Sequence, residues 1–263
     1  MRQHVAWKRR SLLLLAVGLG ILLWYSSSAA QQRQEEKHLT LFIGVDVSGS
    51  FTNTPHFKDS LSFLSYYIYG HLNGVGGLQR PRALFVGSVG GESPNDPKTF
   101  FPIHEFERKS VSEIQAKLGE IFPVRGERIT DFNTFFRKVS EVVRKQNLIL
   151  TPLAVVIVSD GIPDIPGTAG KELATETYKA IDVSPLEYLA RNVTVRLLYP
   201  SPKVGNLWER AVPRQRVRIW PVESQVMAGW TEQLQKKARP EDEDLLWKWI
   251  RDIVDFRVRR QIL

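Results

Sequence analysis

Residues 41 to 50 read Leu41-Phe42-Ile43-Gly44-Val45-Asp46-Val47-Ser48-Gly49-Ser50. The first half is an apolar run with β-branched residues, which is typical of a buried strand. The second half places one carboxylate, Asp46, and two hydroxyls, Ser48 and Ser50, at alternate positions. Their oxygens are hard ligands that suit Mg²⁺ or Mn²⁺ better than zinc or copper. The stretch therefore predicts a strand that carries a candidate metal site at its C-terminal end.

Two later positions complete this pattern. Thr130 stands just before a segment of helical periodicity, and Asp160 ends an apolar run and precedes Gly161. The resulting order is strand-D-x-S-x-S, loop-T-helix and strand-D-G. This order resembles the von Willebrand factor A (VWA) family with its metal-ion-dependent adhesion site, over roughly residues 38 to 235.

The resemblance implies a ligand set and a mode of binding. Ser48, Ser50 and Thr130 would reach the ion through their hydroxyls, and Asp46 and Asp160 would hold it partly through water. In the family, a carboxylate of a partner protein takes the remaining coordination position. The resemblance thus implies a non-enzymatic module that needs Mg²⁺ or Mn²⁺ to bind a protein partner offering an acidic side chain.

Apolar runs and helical periodicity alternate along the chain, which predicts a doubly wound α/β fold with a mainly parallel sheet and helices on both faces. The strands at 39–45 and 153–159 are expected to be neighbours, as in the family. Asp46 and Asp160 would then share the edge where such folds bind ligands. Further strands are predicted at 83–89, 100–104, 193–199 and 217–222, and helices at 57–69, 110–121, 132–145 and 171–190, the last interrupted near Pro185.

The N-terminal 37 residues form a predicted targeting segment and linker. Lys8-Arg9-Arg10 precedes an apolar stretch from Ser11 to Tyr25, which is followed by small residues up to Ala30. The stretch is interpreted either as a retained single-pass anchor or as a signal peptide cleaved after the small residues. In both cases the preceding cations keep the N-terminus in the cytoplasm, so the domain is expected on the extracytoplasmic side, membrane-anchored, or secreted or periplasmic after cleavage.

The charge of the chain does not favour nucleic-acid binding. Residues 1 to 37 hold six basic and two acidic side chains, so +4 of the net +8 belongs to that segment and +4 to the rest. The rest contains no basic repeat interleaved with aromatic residues and no recognisable nucleic-acid motif. Since the chain has no cysteine, disulfides, zinc-thiolate sites and thiol catalysis are also excluded.

The sequence does not match the motifs of three enzyme classes. A phosphatase of the haloacid dehalogenase type needs a second carboxylate two positions after the strand aspartate, where this chain has Ser48. There is no G-x-S-x-G motif, and residues 167 to 172 fail the P-loop pattern. A metal-dependent hydrolase therefore stays a minor alternative. The other alternative is a structural subunit of a membrane-associated complex whose metal site is unused, because Asp46 and Thr130 taken singly could be ordinary helix caps.

The C-terminal residues 236 to 263 are predicted to form an amphipathic helix after the VWA-like domain at 38–235. Its apolar stripe is expected to contain Leu246, Trp249, Ile250, Ile253 and Phe256. One interpretation packs this stripe on the sheet of the same chain. The other docks it on a partner or a membrane surface, since Trp247 lies beside the stripe and Arg259 and Arg260 follow it.

Overall fold

The computed structural model describes residues 39–91, 99–124, 129–164, 170, 173–237 and 239–256. The chain divides into two compact units, Met1–His38 and Leu39–Leu263. The predicted N-terminal anchor and the basic tail at 257–263 lie outside the described residues. No helix in the part that the structure describes has both the length and the apolar character needed to cross a bilayer.

A six-stranded sheet forms the centre of the Leu39–Leu263 unit, in the order β4-β2-β1-β6-β7-β8. β1, β2, β6, β7 and β8 run parallel, whereas β4 pairs with β2 in the antiparallel sense. A separate two-stranded ribbon joins β3 to β5. The strand bounds are β1 Leu39–Val45, β2 Pro81–Ser88, β3 Gly90–Gly91, β4 Phe100–Pro102, β5 Ile129–Thr130, β6 Leu153–Val158, β7 Val193–Leu198 and β8 Val217–Val222.

Helices cover both faces of this sheet. All seven residues of β1 are buried, with Leu41 and Ile43 in the core of one face and Phe42 in the core of the other. A strand covered on both faces needs an unbroken apolar sequence, which explains the run at 41–45. The helices are α1 Gly49–Thr52, α2 Pro55–Asn73, α3 Val111–Ile121, α4 Phe132–Lys145, α5 Thr175–Lys179, α6 Pro202–Ala211, α7 Ser224–Met227 and α8 Asp244–Trp249.

The predicted fold class is confirmed, and so is the pairing of the first strand with the strand at 153. β1 lies beside β6 over the register from Thr40–Leu153 to Val45–Val158. The predicted helix at 171–190 is wrong. Its described part contains only the short α5 and a 3₁₀ turn at Ser184–Leu186. Pro185, which has no N–H, stands near the start of that turn, where the interruption was predicted. Helix α6 was not predicted, although Ser201 followed by Pro202 is a common sequence at the start of a helix.

The C-terminal helix packs on the core of the same chain. Leu246, Trp247, Ile250 and Val254 are buried in the cluster that contains the β1 side chains Leu41 and Ile43. The predicted stripe is wrong at two positions, since Ile253 and Phe256 are 39% and 50% exposed. α8 continues as a π-helical turn at Ile250–Val254. The wider turn moves the buried position from residue 253 to residue 254.

A buried ionic cluster fixes the end of this helix. The Asp255 carboxylate accepts a hydrogen bond of 2.8 Å from the Tyr67 hydroxyl and lies 3.0 Å from His71 Nε2 and 3.7 Å from Arg196 Nε. Burial alone would raise the pKa of Asp255, but the facing His71 and Arg196 together with the Tyr67 hydroxyl lower this pKa well below its usual value. The cluster ties α8 to α2 and β7, so the C-terminal helix is part of the folded unit.

Replacing Asp255 with Asn should lower the free energy of unfolding by about 3 kcal/mol, because it leaves buried basic groups without their counter-charge. Asp252→Asn is a matched control three residues earlier, since Asp252 forms only exposed pairs, with Lys248 and Arg251, and its replacement should cost less than about 1 kcal/mol. Urea unfolding at neutral pH measures both. Equal costs for the two variants would contradict a structural role for the cluster.

Candidate metal centre

The five predicted ligands meet at the edge of the sheet where the parallel strands end. Val45 and Val158 are partners in the β1–β6 register, so the next residues, Asp46 and Ser159, emerge side by side. The Asp46 amide donates to the Val158 carbonyl at 3.0 Å, which continues the ladder by one residue. Asp160 then follows Ser159 at the same edge.

Asp46 is the centre of the cluster. Its carboxylate accepts a bond of 2.9 Å from the Ser48 amide and a short bond from the Ser159 hydroxyl. The Thr130 hydroxyl lies 3.4 Å from both carboxylate oxygens. Asp46 is completely buried, although its position directly after β1 puts it at the edge of the sheet. Its removal would therefore leave buried donors without an acceptor.

The two serine hydroxyls face each other. Ser48 is the N-cap of α1, yet its side chain makes no capping bond, whereas Ser110 and Ser201 do cap their helices. Ser48 Oγ lies 3.1 Å from Ser50 Oγ, and Ser50 in turn hydrogen-bonds Asp160. The hydroxyl of Ser48 thus faces a neighbouring ligand-type side chain, where helix capping would have turned it to the backbone.

Thr130 is held in place from two sides. It pairs with Gly90 in the β3–β5 ribbon, and its amide donates to the Asp164 carboxylate at 2.6 Å while its carbonyl accepts from the Asp164 amide at 3.0 Å. The next residue, Asp131, is the true N-cap of α4. The Thr130 side chain is therefore not a helix cap and points to Asp46.

Two positioning residues escaped the sequence analysis. Ser159 donates to Asp46, and it also accepts from the Gly161 amide at 2.8 Å, which fixes the turn after β6. Asp164 secures Thr130 from the far end of the same loop. Ser159 directly precedes the aspartate that ends β6, and Asp164 follows that aspartate by four residues. Both residues are polar, but the neighbouring sequence does not indicate which residues their side chains contact.

Burial raises the pKa values of both Asp46 and Asp160. Burial raises the pKa of Asp46 to about 6, with a further contribution from the charge of Asp160. The pKa of Asp160 is also raised, mainly by burial and to a smaller extent by Asp164, although bonds from the Ile162 amide and Ser50 oppose the shift. None of the ion pairs among the described residues involves these three carboxylates. Negative charge accumulates here without a basic side chain to balance it.

The donor set fits a hard divalent cation. Two carboxylates and three hydroxyls offer only oxygen, which is the ligand type that Mg²⁺ and Mn²⁺ prefer. Among the described residues no group of three or more His, Cys, Asp or Glu side chains could hold a metal. Zinc- or copper-type ligation therefore has no counterpart there, and any ion at this edge would depend on the hydroxyls of Ser48, Ser50 and Thr130.

Sequence comparison finds no family model and no curated protein that matches the chain. Similar solved structures include the SpRpn10 VWA domain, with a TM-score of 0.41, 13% identity and coverage of 74% of this chain and 95% of that one. Another is the human COPII-coat protein Sec24c, with a TM-score of 0.48, 9% identity and coverage of 82% of this chain and 32% of that one. A third is proximal thread matrix protein 1 of the mussel byssus, with a TM-score of 0.40, 11% identity and coverage of 81% of this chain and 48% of that one. The chain thus spans about half of the mussel protein and a third of Sec24c. At these identities the likeness concerns the fold alone.

The raised pKa of Asp46 predicts a pH-dependent stability in the presence of a chelator. Because the folded-state pKa of about 6 exceeds the ordinary value of 3.8, the stabilisation is complete below pH 4 and is lost as the pH rises through 6. The difference between the folded-state pKa and the ordinary pKa corresponds to a decrease of about 3 kcal/mol in the free energy of unfolding above pH 7. Urea unfolding between pH 4.5 and 7.5 measures this loss.

The isosteric variant Asp46→Asn is the control, since it removes the titrating group and should flatten the profile. Added Mg²⁺ should restore stability to the unmodified protein mainly above pH 6, because protons compete with the cation below it. Parallel pH profiles for the two proteins would show that another group is responsible.

Proposed function

We propose that this chain is a non-enzymatic, extracytoplasmic binding module that is tethered to a membrane and captures a protein partner through a divalent cation. Asp46, Ser48, Ser50, Thr130 and Asp160 would hold the cation. The observation that carries this proposal is the pair of aspartates at one sheet edge, raised in pKa by burial and proximity and surrounded by hydroxyls. Such an arrangement is electrostatically unfavourable until a cation joins it.

The side chains at this edge are arranged before any ligand arrives. Ser159 and the Ser48 amide orient the Asp46 carboxylate, and Asp164 fixes the Thr130 backbone. A bound Mg²⁺ or Mn²⁺ would supply a coordination position for a carboxylate of the partner. Asp160 is only partly buried, so a ligand can approach the cluster from the Asp160 side. Asp46 is fully buried.

Several features argue against catalysis at this cluster. The Asp46 carboxylate is fully buried and cannot touch a substrate as nucleophile or base. The three described histidines are engaged elsewhere: His71 pairs with Asp255, His104 is exposed beside Glu105 and the ring of His56 lies 5.7 Å from that of Tyr199. We therefore place binding ahead of a metal-dependent hydrolase.

The membrane tether rests on the sequence of residues 8 to 30. Cations before the apolar stretch would orient the N-terminus to the cytoplasm and the Leu39–Leu263 unit to the opposite side. Cleavage after the small residues would instead release the same domain into the periplasm or the medium. A structural subunit with an unused metal site is the competing proposal, and the next experiment separates the two.

Asp46→Asn should abolish binding of Mg²⁺ and Mn²⁺ in titration calorimetry and, with it, the chelator-sensitive capture of a partner in pull-downs. A charged ligand contributes far more attraction to a divalent ion than a neutral donor at the same distance. Asp182→Asn is the matched control, because Asp182 is exposed and accepts only a backbone bond from Ser184 that Asn also accepts. Partner capture that survives both Asp46→Asn and chelation would favour the structural subunit.

Gly90→Ala should weaken cation binding without altering a ligand. A Cβ at Gly90 would lie 2.0 Å from the Ile129 carbonyl oxygen, so the ribbon that positions Thr130 must shift. The loss should be about 10- to 100-fold, as for other residues that orient ligands. Gly119→Ala on α3 meets no atom within 4 Å and should leave the affinity unchanged, as measured by the same calorimetry. Unchanged affinity in Gly90→Ala would argue against Thr130 as a ligand.

A further inference from the structure

The edge of the sheet opposite the metal centre carries a second unusual surface. β1, β2, β6, β7 and β8 all begin there, since they are parallel and their first residues are register partners or nearly so. The segments that lead into β2, β6, β7 and β8 therefore lie next to one another along this edge. Those four segments, at 79–82, 144–152, 187–192 and 213–216, are here named the basal surface.

Large apolar side chains are exposed on the basal surface. Leu150 is 74% exposed, Tyr188 63% and Ile149 40%. The Leu150 amide donates to the Leu189 carbonyl at 2.8 Å, so the Leu150 and Tyr188 segments touch. Three neighbouring apolar side chains in water are unfavourable unless something covers them.

The backbone of this patch is also strained. Leu150 has a φ of +73° and Tyr188 a φ of +65°, a left-handed conformation that Gly and Asn adopt readily and bulky residues do not. Gly at either position would relieve the strain and remove the exposed apolar surface. Bulky residues held in such conformations are concentrated at functional sites.

Basic side chains surround the apolar residues. The four segments contain seven arginines and lysines and one acid, Glu187, which is buried and bonded to the Gln215 and Arg216 amides. Among the described residues none of the seven forms an ion pair with a carboxylate. The seven are Arg80, Arg82, Arg144, Lys145, Arg191, Arg214 and Arg216.

The chain itself arrives at this edge. β1 begins at Leu39, between the starts of β2 and β6. Only residues 31 to 38 separate Leu39 from the end of the apolar and small-residue stretch at Ala30. Eight residues span at most about 30 Å when fully extended. A tether in the bilayer would therefore keep the lipid surface within reach of the basal surface, which is the edge where the chain enters the sheet.

We propose that the basal surface docks on an anionic lipid bilayer. Leu150, Ile149 and Tyr188 would enter the headgroup region, and the seven cations would face lipid phosphates, as in other basic and apolar membrane-binding surfaces. This inference rests on the membrane tether proposed above. Docking at this edge would leave the metal centre facing away from the membrane toward a partner.

The absence of cysteine allows a single-label test with the full chain. Gln146→Cys places an environment-sensitive dye on the basal surface, and Val226→Cys on α7 places it beyond the opposite end of β8. Both proteins are reconstituted into vesicles of phosphatidylcholine alone or with phosphatidylglycerol. The dye at 146 should shift to the blue in anionic vesicles and return to the red at about 0.5 M salt, where the Debye length falls to about 4 Å. The dye at 226 should not respond.

Two variants in the Gln146→Cys protein separate docking from folding. Arg144→Gln, Lys145→Gln and Arg216→Gln together should weaken docking on the order of 100-fold, at about fivefold for each charge. Leu150→Asn should reduce the dye response while the thermal midpoint stays equal or rises, because Asn tolerates the left-handed conformation.

Flotation of the vesicles distinguishes the two ways of failing. A chain that does not float with vesicles has no membrane tether, which removes the tether from the proposed function and overturns basal docking, while cation binding is tested separately by calorimetry. A chain that floats but whose dye at 146 ignores lipid charge, or responds no more than the dye at 226, keeps the tether and overturns basal docking.

Discussion

The parallel pairing of β1 between β2 and β6 is the constraint on which the rest of the structure depends. Parallel strands require crossovers, and crossovers place helices on both faces, so every residue of β1 is buried. The same pairing collects the ends of the five parallel strands at one edge and their starts at the other. The metal centre and the basal surface are therefore consequences of one topology, although they share no residue.

At the metal-centre edge, hydrogen-bonded side chains hold two carboxylates close together, which is electrostatically unfavourable. Asp46 and Asp160 repel each other, and burial removes the water that would otherwise screen them. Hydrogen bonds from Ser48, Ser159 and Thr130 reduce this cost only in part. A site that is stable on its own would have a basic residue here, as Asp255 has in His71 and Arg196. The contrast between these two buried carboxylate clusters supports a binding role for the first and a structural role for the second.

The net charge of the chain does not show how acidic and basic side chains are distributed between the two edges of the sheet. Among the described residues, Asp46, Asp160 and Asp164 lie together where the parallel strands end, and seven arginines and lysines belong to the segments where these strands begin. A protein held by its N-terminal segment at the basic edge would present the acidic edge to whatever lies beyond the membrane. The polarity of a parallel sheet is thus sufficient to give one small domain two edges of different chemistry.

The sequence by itself determined the fold class and the five candidate ligands, because hydrophobic periodicity and the residues at strand ends are local properties, whereas the adjacency of β1 and β6 was expected from the resemblance to the VWA family. It failed for the segment at 171–190, which holds only a short helix and a 3₁₀ turn, and for the face of the C-terminal helix, which continues as a π-helical turn. Only the tertiary structure decided that Asp46 is buried, that Ser159 and Asp164 position the cluster, and that exposed Leu150 and Tyr188 lie near basic side chains that have no carboxylate partner among the described residues. Burial, contact and charge balance depend on residues distant in sequence, and no local pattern specifies which of them will meet.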